Sequence, residues 1–322
     1  MEQKIKVGIV GYGNLGKGVE LALKQNPDFE LVAIFTRRIP TSDSGLTSID
    51  KILDYKGKID LMFMCGGSAT DLPKQVPEIA AHFNTIDSFD THAKIPEYFE
   101  TVNAVAKKAG TLSMISSGWD PGLFSLNRVL ASAVLPEGHT YTFWGKGVSQ
   151  GHSDAIRRIE GVADAKQYTV PVPAALESVR KGENKEFTAR EKHLRVCYVV
   201  VKEGADKEKI KHEIVTMPNY FADYDTEVNF ISQEELDRDH AGLPHGGFVI
   251  RNGISANGTR QKVEFSLELG SNPEFTSSVF VACGRAVARR AKHGATGAIT
   301  IFDLPVGMFS PLSADELRKE YL

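Results

Sequence analysis

The sequence predicts an α/β protein: a doubly wound parallel sheet joined to a second domain of mixed α+β sheet. Three observations lead there. Val7-Gly8-Ile9-Val10, in a strand predicted at 4–10, form a short apolar run that passes directly into Gly11-Tyr12-Gly13-Asn14-Leu15-Gly16. The first 120 residues alternate apolar, strand-like runs with helical segments, the pattern of parallel βαβ units. From Pro121 onward the texture changes to strand-like segments with period-two alternation and fewer helices.

Each element follows in order. The G-x-G-x-x-G run sits between a strand and a helix-forming stretch, Lys17 to Lys24, with a second strand predicted at 30–36. In that context the first glycine makes a tight turn, the second lets backbone approach a pyrophosphate, and the third packs helix on strand. The helix N-terminus then offers unpaired N–H groups to phosphate. This is the Rossmann-type arrangement, and it predicts a dinucleotide site at Gly11, Tyr12, Gly13, Asn14, Leu15 and Gly16. The second strand ends in Phe35-Thr36-Arg37-Arg38, where an NAD-type site places an acid about 20 residues beyond the glycines. Two guanidiniums and a hydroxyl suit a 2′-phosphate, so the expected cofactor is NADP.

Further strands are predicted at 59–65, 84–87 and 111–116. Ligands of such sheets sit beyond the carboxyl ends of the strands. The residues found there are Gly67-Ser68-Ala69-Thr70, with Ser88, for the cofactor, and Asp90 and Asp120 for chemistry. Two carboxylates suit a substrate ammonium, and one could take a proton as an amine becomes an imine. The bland reading of Asp120 is a turn before Pro121. Trp119 and Trp144, the two tryptophans, would wall a pocket or simply pack in a core.

A helix is predicted from Leu123 to Val134, then strands at 141–144, 166–172, 193–201, 226–231, 246–251 and 261–269. The last alternates Lys262-Val263-Glu264-Phe265-Ser266-Leu267-Glu268-Leu269, so one face should be buried and one wet. The loop from Gly145 to Asp154 is glycine-rich and leads to a helix capped by Ser153, with backbone N–H groups around Gln150 and Gly151 able to bind a carboxylate. Arg195 lies inside an apolar strand and, if buried, demands an anion. His245 stands in a glycine-rich turn. An amphipathic helix over 275–292, with Arg285 to Arg290 as an outer face or dipole partners, precedes a strand at 298–303. A short last helix opens at Ser313 with the pattern of a capping box. Flexible surface pieces are expected at 38–48 and 181–190.

Composition narrows the function classes. The chain has 322 residues, room for two cores, and a formal net charge of −3 that gives no electrostatic footprint for nucleic acid. No apolar run approaches the roughly 18 residues of a membrane span. Strand one begins too early to leave room for a signal peptide. Cys65, Cys197 and Cys283 form no paired framework, which fits a reducing cytoplasm, and Cys65 reads as a small buried residue. No Cys/His cluster has metal-binding spacing, so no metal is expected.

Taken together, Val10–Gly16, Phe35–Arg38, Gly67–Asp71, Ser117–Gly122, Ser149–Asp154 and Leu243–Gly247 resemble the meso-diaminopimelate D-dehydrogenase family across nearly the whole chain. The Trp119-Asp120-Pro121-Gly122 and Ser149–Asp154 blocks are the most specific. Thr36 occupies a slot where the family commonly has serine, and keeps the hydroxyl. The resemblance implies NADP-dependent oxidative deamination of the D-centre of meso-2,6-diaminopimelate. It implies that Asp90 and Asp120 hold the reacting amine, and that Gln150 and Gly151 lie around the adjacent carboxylate. Thr169, Arg195, His245 and Asn272 would bind the L-configured end, with Trp144 lining the cavity. It further implies a homodimer, with a dinucleotide domain of 1–120 plus 273–322 and a substrate and dimerisation domain of 121–272. The alternatives are another NADP-dependent oxidoreductase of an amino-acid pathway, or an NADPH-binding regulator without catalysis.

Overall fold

The computed structural model describes residues 4–38 and 44–322. Residues 39–43, inside the expected flexible stretch 38–48, lie outside the described residues. The chain divides into two compact units, Met1–Leu126 with Pro273–Leu322, and Asn127–Asn272.

The first unit begins with strands β1 (Ile5–Val10), β2 (Phe29–Thr36), β3 (Thr47–Ser48), β4 (Leu61–Met64), β5 (Thr85–Asp87) and β6 (Leu112–Met114). Helices α1 (Asn14–Lys24), α2 (Leu72–Ala80) and α3 (Ile95–Ala109) connect them, and α4 (Leu123–Val134) leads out. Strand pairing is parallel throughout. The order is β14-β6-β5-β4-β1-β2-β3, where β14 is Gly297–Ile299 near the C-terminus. Strand order therefore reverses at β1, with β2 on one side and β4 on the other, which opens a crevice at their carboxyl ends.

Alternate residues explain the double winding. Val7, Ile9, Leu61 and Phe63 face one way and pack against Val19 and Leu23 of α1 and Phe280 and Val281 of the long C-terminal helix. Val10, Met62 and Met64 face the other way, onto Leu72, Val76, Tyr98 and Val102 of α2 and α3. Strands buried on both faces read as unbroken apolar runs, which is why β1 and β4 show no alternation.

The second unit holds β7 (Glu137–Trp144), β8 (Gly147–Val148), β9 (Val162–Pro171), β10 (His193–Val201), β11 (Asp225–Phe230), β12 (His245–Ile254) and β13 (Arg260–Leu269). They form two sheets, β11-β10-β9-β8 and β13-β12-β7. The first is mixed, because β11 runs parallel to β10 while β9 runs antiparallel. The second is wholly antiparallel. Helix α5 (Gln150–Arg157) opens this unit's helices, followed by α6 (Pro173–Arg180), α7 (Ala189–Lys192), α8 (Lys207–Thr216) and α9 (Gln233–Asp239). The chain then returns to the first unit through α10 (Asn272–Lys292), β14 and α11 (Ala314–Tyr321).

Four expectations change. Helix α5 is capped by Ser149, whose side chain accepts from the His152 N–H, rather than by Ser153. Ser153 is buried and its hydroxyl accepts from the Gln167 N–H, so it pins α5 to β9. The strand expected at 298–303 stops at Ile299, because Thr300 and Asp303 close a capping box around a 3-10 turn. Arg285 is no outer-face residue: it is 2% exposed, with Nε and Nη2 on the Asp28 carboxylate at 2.5 and 2.9 Å. It also donates to Asn26 Oδ1 and the Phe309 carbonyl, each at 2.7 Å. Finally, β13 buries only Leu269 fully, and Val263 stays 41% exposed. β13 is the edge strand of its sheet, paired with β12 alone, and its side chains are mostly left in contact with solvent. The Ser313 capping box is formed as read.

Candidate active site

In the first unit the glycine loop occupies the switch point after β1. A Cβ on Gly16 would stand 2.1 Å from the Gly11 carbonyl oxygen, so α1 packs on the loop only without a side chain. Gly11 has φ +94°, in the left-handed region, and a Cβ there would stand 3.0 Å from the Cys65 carbonyl oxygen just after β4. A Cβ on Gly13, in contrast, would meet nothing within 4 Å. Gly13 caps α1 with backbone alone, and the first turn of α1 carries no acidic residue. An open glycine below an uncapped helix start fits a pyrophosphate, so Gly11 through Gly16 suit the cofactor expected there.

Beyond β2, Thr36 is 7% exposed and its hydroxyl accepts from the Arg38 N–H at 3.1 Å. Arg37 grips Asp71 with Nη1–Oδ1 at 2.8 Å and Nη2–Oδ2 at 2.9 Å. The same carboxylate accepts from the Gly67 N–H at 3.0 Å. This links the loop after β2 to the segment Gly67-Ser68-Ala69-Thr70 after β4, so both predicted cofactor segments share one frame. Ser88 directly follows β5 and is half-buried.

Asp90 and Asp120 leave neighbouring strands, since β5 pairs with β6. Asp90 is exposed and Asp120 half-buried. The Asp90 N–H donates to Ser68 Oγ at 2.9 Å, which ties the acid's loop to the cofactor segment. Trp119 is 7% exposed and stands edge-on to Phe124 at 5.2 Å.

The second unit collects the remaining candidates around β9 and β10. Thr169 and Arg195 are register partners, both nearly buried, and an Arg195 Nη1–H donates to the Thr169 hydroxyl. The guanidinium lies 3.9 Å from the centre of the Tyr224 ring. Among the described residues no carboxylate pairs with it, and its Nε has no partner. Burial therefore lowers the Arg195 pKa, with Tyr224 opposing. Both side-chain polar atoms of Gln167, two residues along β9, are likewise buried and unpartnered.

Two histidines near this cation are kept neutral. His193 accepts the Trp144 N–H on Nε2 at 2.9 Å, which an imidazolium could not do. Burial first, then Lys192 and Arg195, push its pKa down to about 3. His152 falls to about 4, again by burial and then by Arg195. The Trp144 ring stacks on His193 at 5.3 Å. His245 packs over Gly147, where an added Cβ would meet the imidazole at 2.3 Å. Asn272 donates its backbone N–H to the Leu243 carbonyl, beside the same turn. Gln150 and Gly151 are exposed at the first turn of α5, anchored because the Ser149 N–H donates to the Gln167 carbonyl.

A family model described as the diaminopimelic acid dehydrogenase C-terminal domain matches residues 118–271. The chain is 61% identical to the meso-diaminopimelate D-dehydrogenase of Ureibacillus thermosphaericus, over 99% of each chain. This chain belongs to the meso-diaminopimelate D-dehydrogenase family. The solved Corynebacterium glutamicum DAP dehydrogenase in complex with DAP matches at a TM-score of 0.94 and 44% identity, covering 99% of this chain and 100% of that one. An engineered D-amino acid dehydrogenase bound to NADP+ matches at 0.89 and 42%, with the same coverage.

Three features of this family member escape sequence reading. Asp71 orients Arg37, Asp87 is fully buried beneath the loop of Asp90, and His152 and His193 stand neutral beside Arg195. Asp87 alone had a signal in the sequence, as an acid closing an apolar strand. Cys65, Cys197 and Cys283 are all buried and unpaired, and burial raises the Cys65 thiol pKa. Among the described residues no group of three His, Cys, Asp or Glu could hold a metal, and no helix is long and apolar enough to cross a membrane.

Proposed function

We propose that this chain catalyses reversible, NADP-dependent oxidative deamination of the D-centre of meso-2,6-diaminopimelate. The products are ammonia and L-2-amino-6-oxopimelate, which cyclises to tetrahydrodipicolinate for lysine and cell-wall precursor synthesis. The observation that carries the reading is Arg195, a buried guanidinium without a carboxylate among the described residues. A cation held out of water without an anion is costly unless a ligand supplies one.

In this reading Gly11, Tyr12, Gly13, Asn14, Leu15 and Gly16 cradle the pyrophosphate. Thr36, Arg37 and Arg38 take the 2′-phosphate, and Gly67, Ser68, Ala69, Thr70 and Ser88 line the rest of the cofactor site. When bound, NADP+ would supply the acceptor for the hydride of the D-carbon. Asp90 and Asp120 hold the ammonium of that carbon; one of them takes the proton released as amine becomes imine, and water then adds to the imine carbon, supplying the carbonyl oxygen as ammonia leaves. Backbone N–H groups at Gln150 and Gly151 meet the neighbouring carboxylate at a helix N-terminus. Thr169, Arg195, His245 and Asn272 bind the L-end, and Trp119 and Trp144 supply aromatic walls.

The substrate carries the same group at both ends with opposite handedness. Fixing the inert end sets which carbon presents its hydrogen for transfer, so binding energy far from the reaction is converted into orientation. Neutral His152 and His193 support this, because they add no further positive charge beside Arg195. The first unit is assigned to the dinucleotide, and the second to substrate and dimerisation. A homodimer is supported by Val129, Leu130 and Val134 on α4, between 48% and 65% exposed, and by Val263 on the edge strand. A reducing, cytoplasmic setting goes with three unpaired cysteines.

The test is NADP+ reduction with meso-diaminopimelate, its L,L-isomer, D-alanine and homoserine. Turnover confined to the meso compound is the expected result. Activity on homoserine without activity on the meso compound would replace this reading with that of another amino-acid-pathway oxidoreductase, and NADPH binding without turnover of any would favour a regulator.

A further inference from the structure

We propose that Asp87 is a positioning residue: its carboxyl locks together the roots of the two loops that carry Asp90 and Asp120. The inference rests on the assignment of those two acids to the reacting amine and goes one layer beneath it.

Asp87 ends β5 and is 0% exposed. Its Oδ1 accepts two backbone N–H groups, from Phe89 at 2.9 Å and from Ser116 at 3.0 Å. Its Oδ2 accepts the Tyr98 hydroxyl of α3 at 2.8 Å. Its carbonyl accepts the Ser117 N–H at 2.8 Å. One residue therefore binds its own loop, the neighbouring loop and the helix behind them.

The bonds fall where they can set direction. Phe89 is 2% exposed and stacks on Tyr98 at 4.2 Å, so the residue before Asp90 is held by backbone and by ring. With its N–H on Ser68, Asp90 is fixed from both sides. Ser116 has φ 57°, a left-handed conformation that a residue with a side chain adopts at a cost, and the Asp87 oxygen holds its N–H. Both loops hang from a single oxygen atom, and a shift of that atom would alter the spacing of the acids. Catalytic groups lose rate steeply with displacements on the order of 1 Å.

Nothing simpler accounts for a carboxyl here. An Asx turn needs one acceptor, which a serine could supply at less desolvation cost. Asp87 instead uses both oxygens and reaches across to the next strand's loop.

The variants Asp87→Val and Asp87→Asn separate positioning from folding. Asn keeps an acceptor for both N–H groups and can donate its amide to the Tyr98 oxygen, whereas Val keeps neither. With folding checked by circular dichroism, Asp87→Val should lower kcat for meso-diaminopimelate at least thirtyfold. Its KM and its Kd for NADP+ should stay within threefold of wild type. Asp87→Asn should recover kcat to within fivefold. A folded Asp87→Val protein with kcat within threefold of wild type would overturn the proposal, as would an Asp87→Asn protein as impaired as Asp87→Val. Asp90→Asn and Asp120→Asn are run alongside: unchanged kcat in both removes the assignment of the acids and this proposal with it. Collapse in those two with Asp87→Val unaffected removes the proposal alone. Should Asp87→Val not fold, amide exchange in the wild-type protein decides. The Phe89 and Ser116 N–H groups, though in loops, should exchange as slowly as those of β5, and fast exchange at either overturns the lock.

Discussion

Replacing Arg195 by methionine should make the enzyme worse and the fold no weaker. The guanidinium is 7% exposed, its Nε has no partner, and its protein contacts are the Thr169 hydroxyl and the Tyr224 ring. A hydrogen bond to a charged group contributes about 1.5–3 kcal/mol, so losing two to a substrate carboxylate removes about 3–6 kcal/mol of binding. That corresponds to a drop in kcat/KM of roughly 10²–10⁴, at about 1.4 kcal/mol per factor of ten. Methionine fills similar length without a charge, and the cost of the desolvated cation disappears. The unliganded variant should therefore unfold in urea with a midpoint equal to or above wild type. Kinetics with meso-diaminopimelate and urea titrations followed by circular dichroism test both halves. Unchanged kcat/KM would refute the ligand role, and a stability loss of about 3 kcal/mol would mark Arg195 as a structural residue, by the cost of breaking a buried charged pair.

Other consequences can be measured with the same tools. Gly13→Ala should fold normally and bind NADP+ at least tenfold more weakly, whereas Gly16→Ala, whose Cβ would meet the Gly11 oxygen at 2.1 Å, should lose stability outright; equal melting temperatures for the two would contradict this. Neutralising Arg37 and Arg38 together should cost about 3 kcal/mol of NADP+ affinity while barely changing NAD+ binding, in titrations with each cofactor. Arg285→Met removes a buried guanidinium from a half-buried Asp28, Asn26 and the Phe309 carbonyl, and should cost about 1–3 kcal/mol in urea unfolding; an unchanged midpoint would mean water replaces the arginine. Burial pushes the Asp87 pKa up to about 6 against the pull of Ser116, Phe89 and Tyr98. A carboxyl raised in the folded state contributes stability that is complete below its unfolded value near 4 and is lost as pH rises through about 6. Between pH 4 and 7 the Asp87→Asn protein should therefore gain about 3 kcal/mol relative to wild type, two units at about 1.4 kcal/mol each; a pH-independent difference would exclude a raised pKa.

The glycine loop and the parallel half were legible because they rest on local rules, whereas the return of the C-terminal helix to that half was implied only by the family resemblance. A strand, a turn that admits only glycine and a helix start are fixed by neighbours in sequence, so Gly11, Gly13 and Gly16 carry their reasons on the chain. The Ser313 box is local in the same way, with donor and acceptor three residues apart. The cap of α5 misled because two serines, Ser149 and Ser153, each have a helix after them. Only the packing of Ser153 against β9 shows which one is a cap.

Long-range pairing decided the rest. Arg285 looked like surface charge until Asp28, far back in the chain, was brought to it. Val263 belonged to an alternating strand expected to bury one face, yet on the edge strand β13 it is 41% exposed. Asp71 gained a task when the loops after β2 and β4 met, and Asp87 when β5 paired with β6. Sequence alone determined which chemistry is present: glycines for a phosphate, acids for an amine, an arginine in an apolar strand. Tertiary structure alone decided which of these groups are paid off by partners and which wait for a ligand. Charge and hydrogen-bond satisfaction depend on distance in space, and a linear chain does not encode that distance locally.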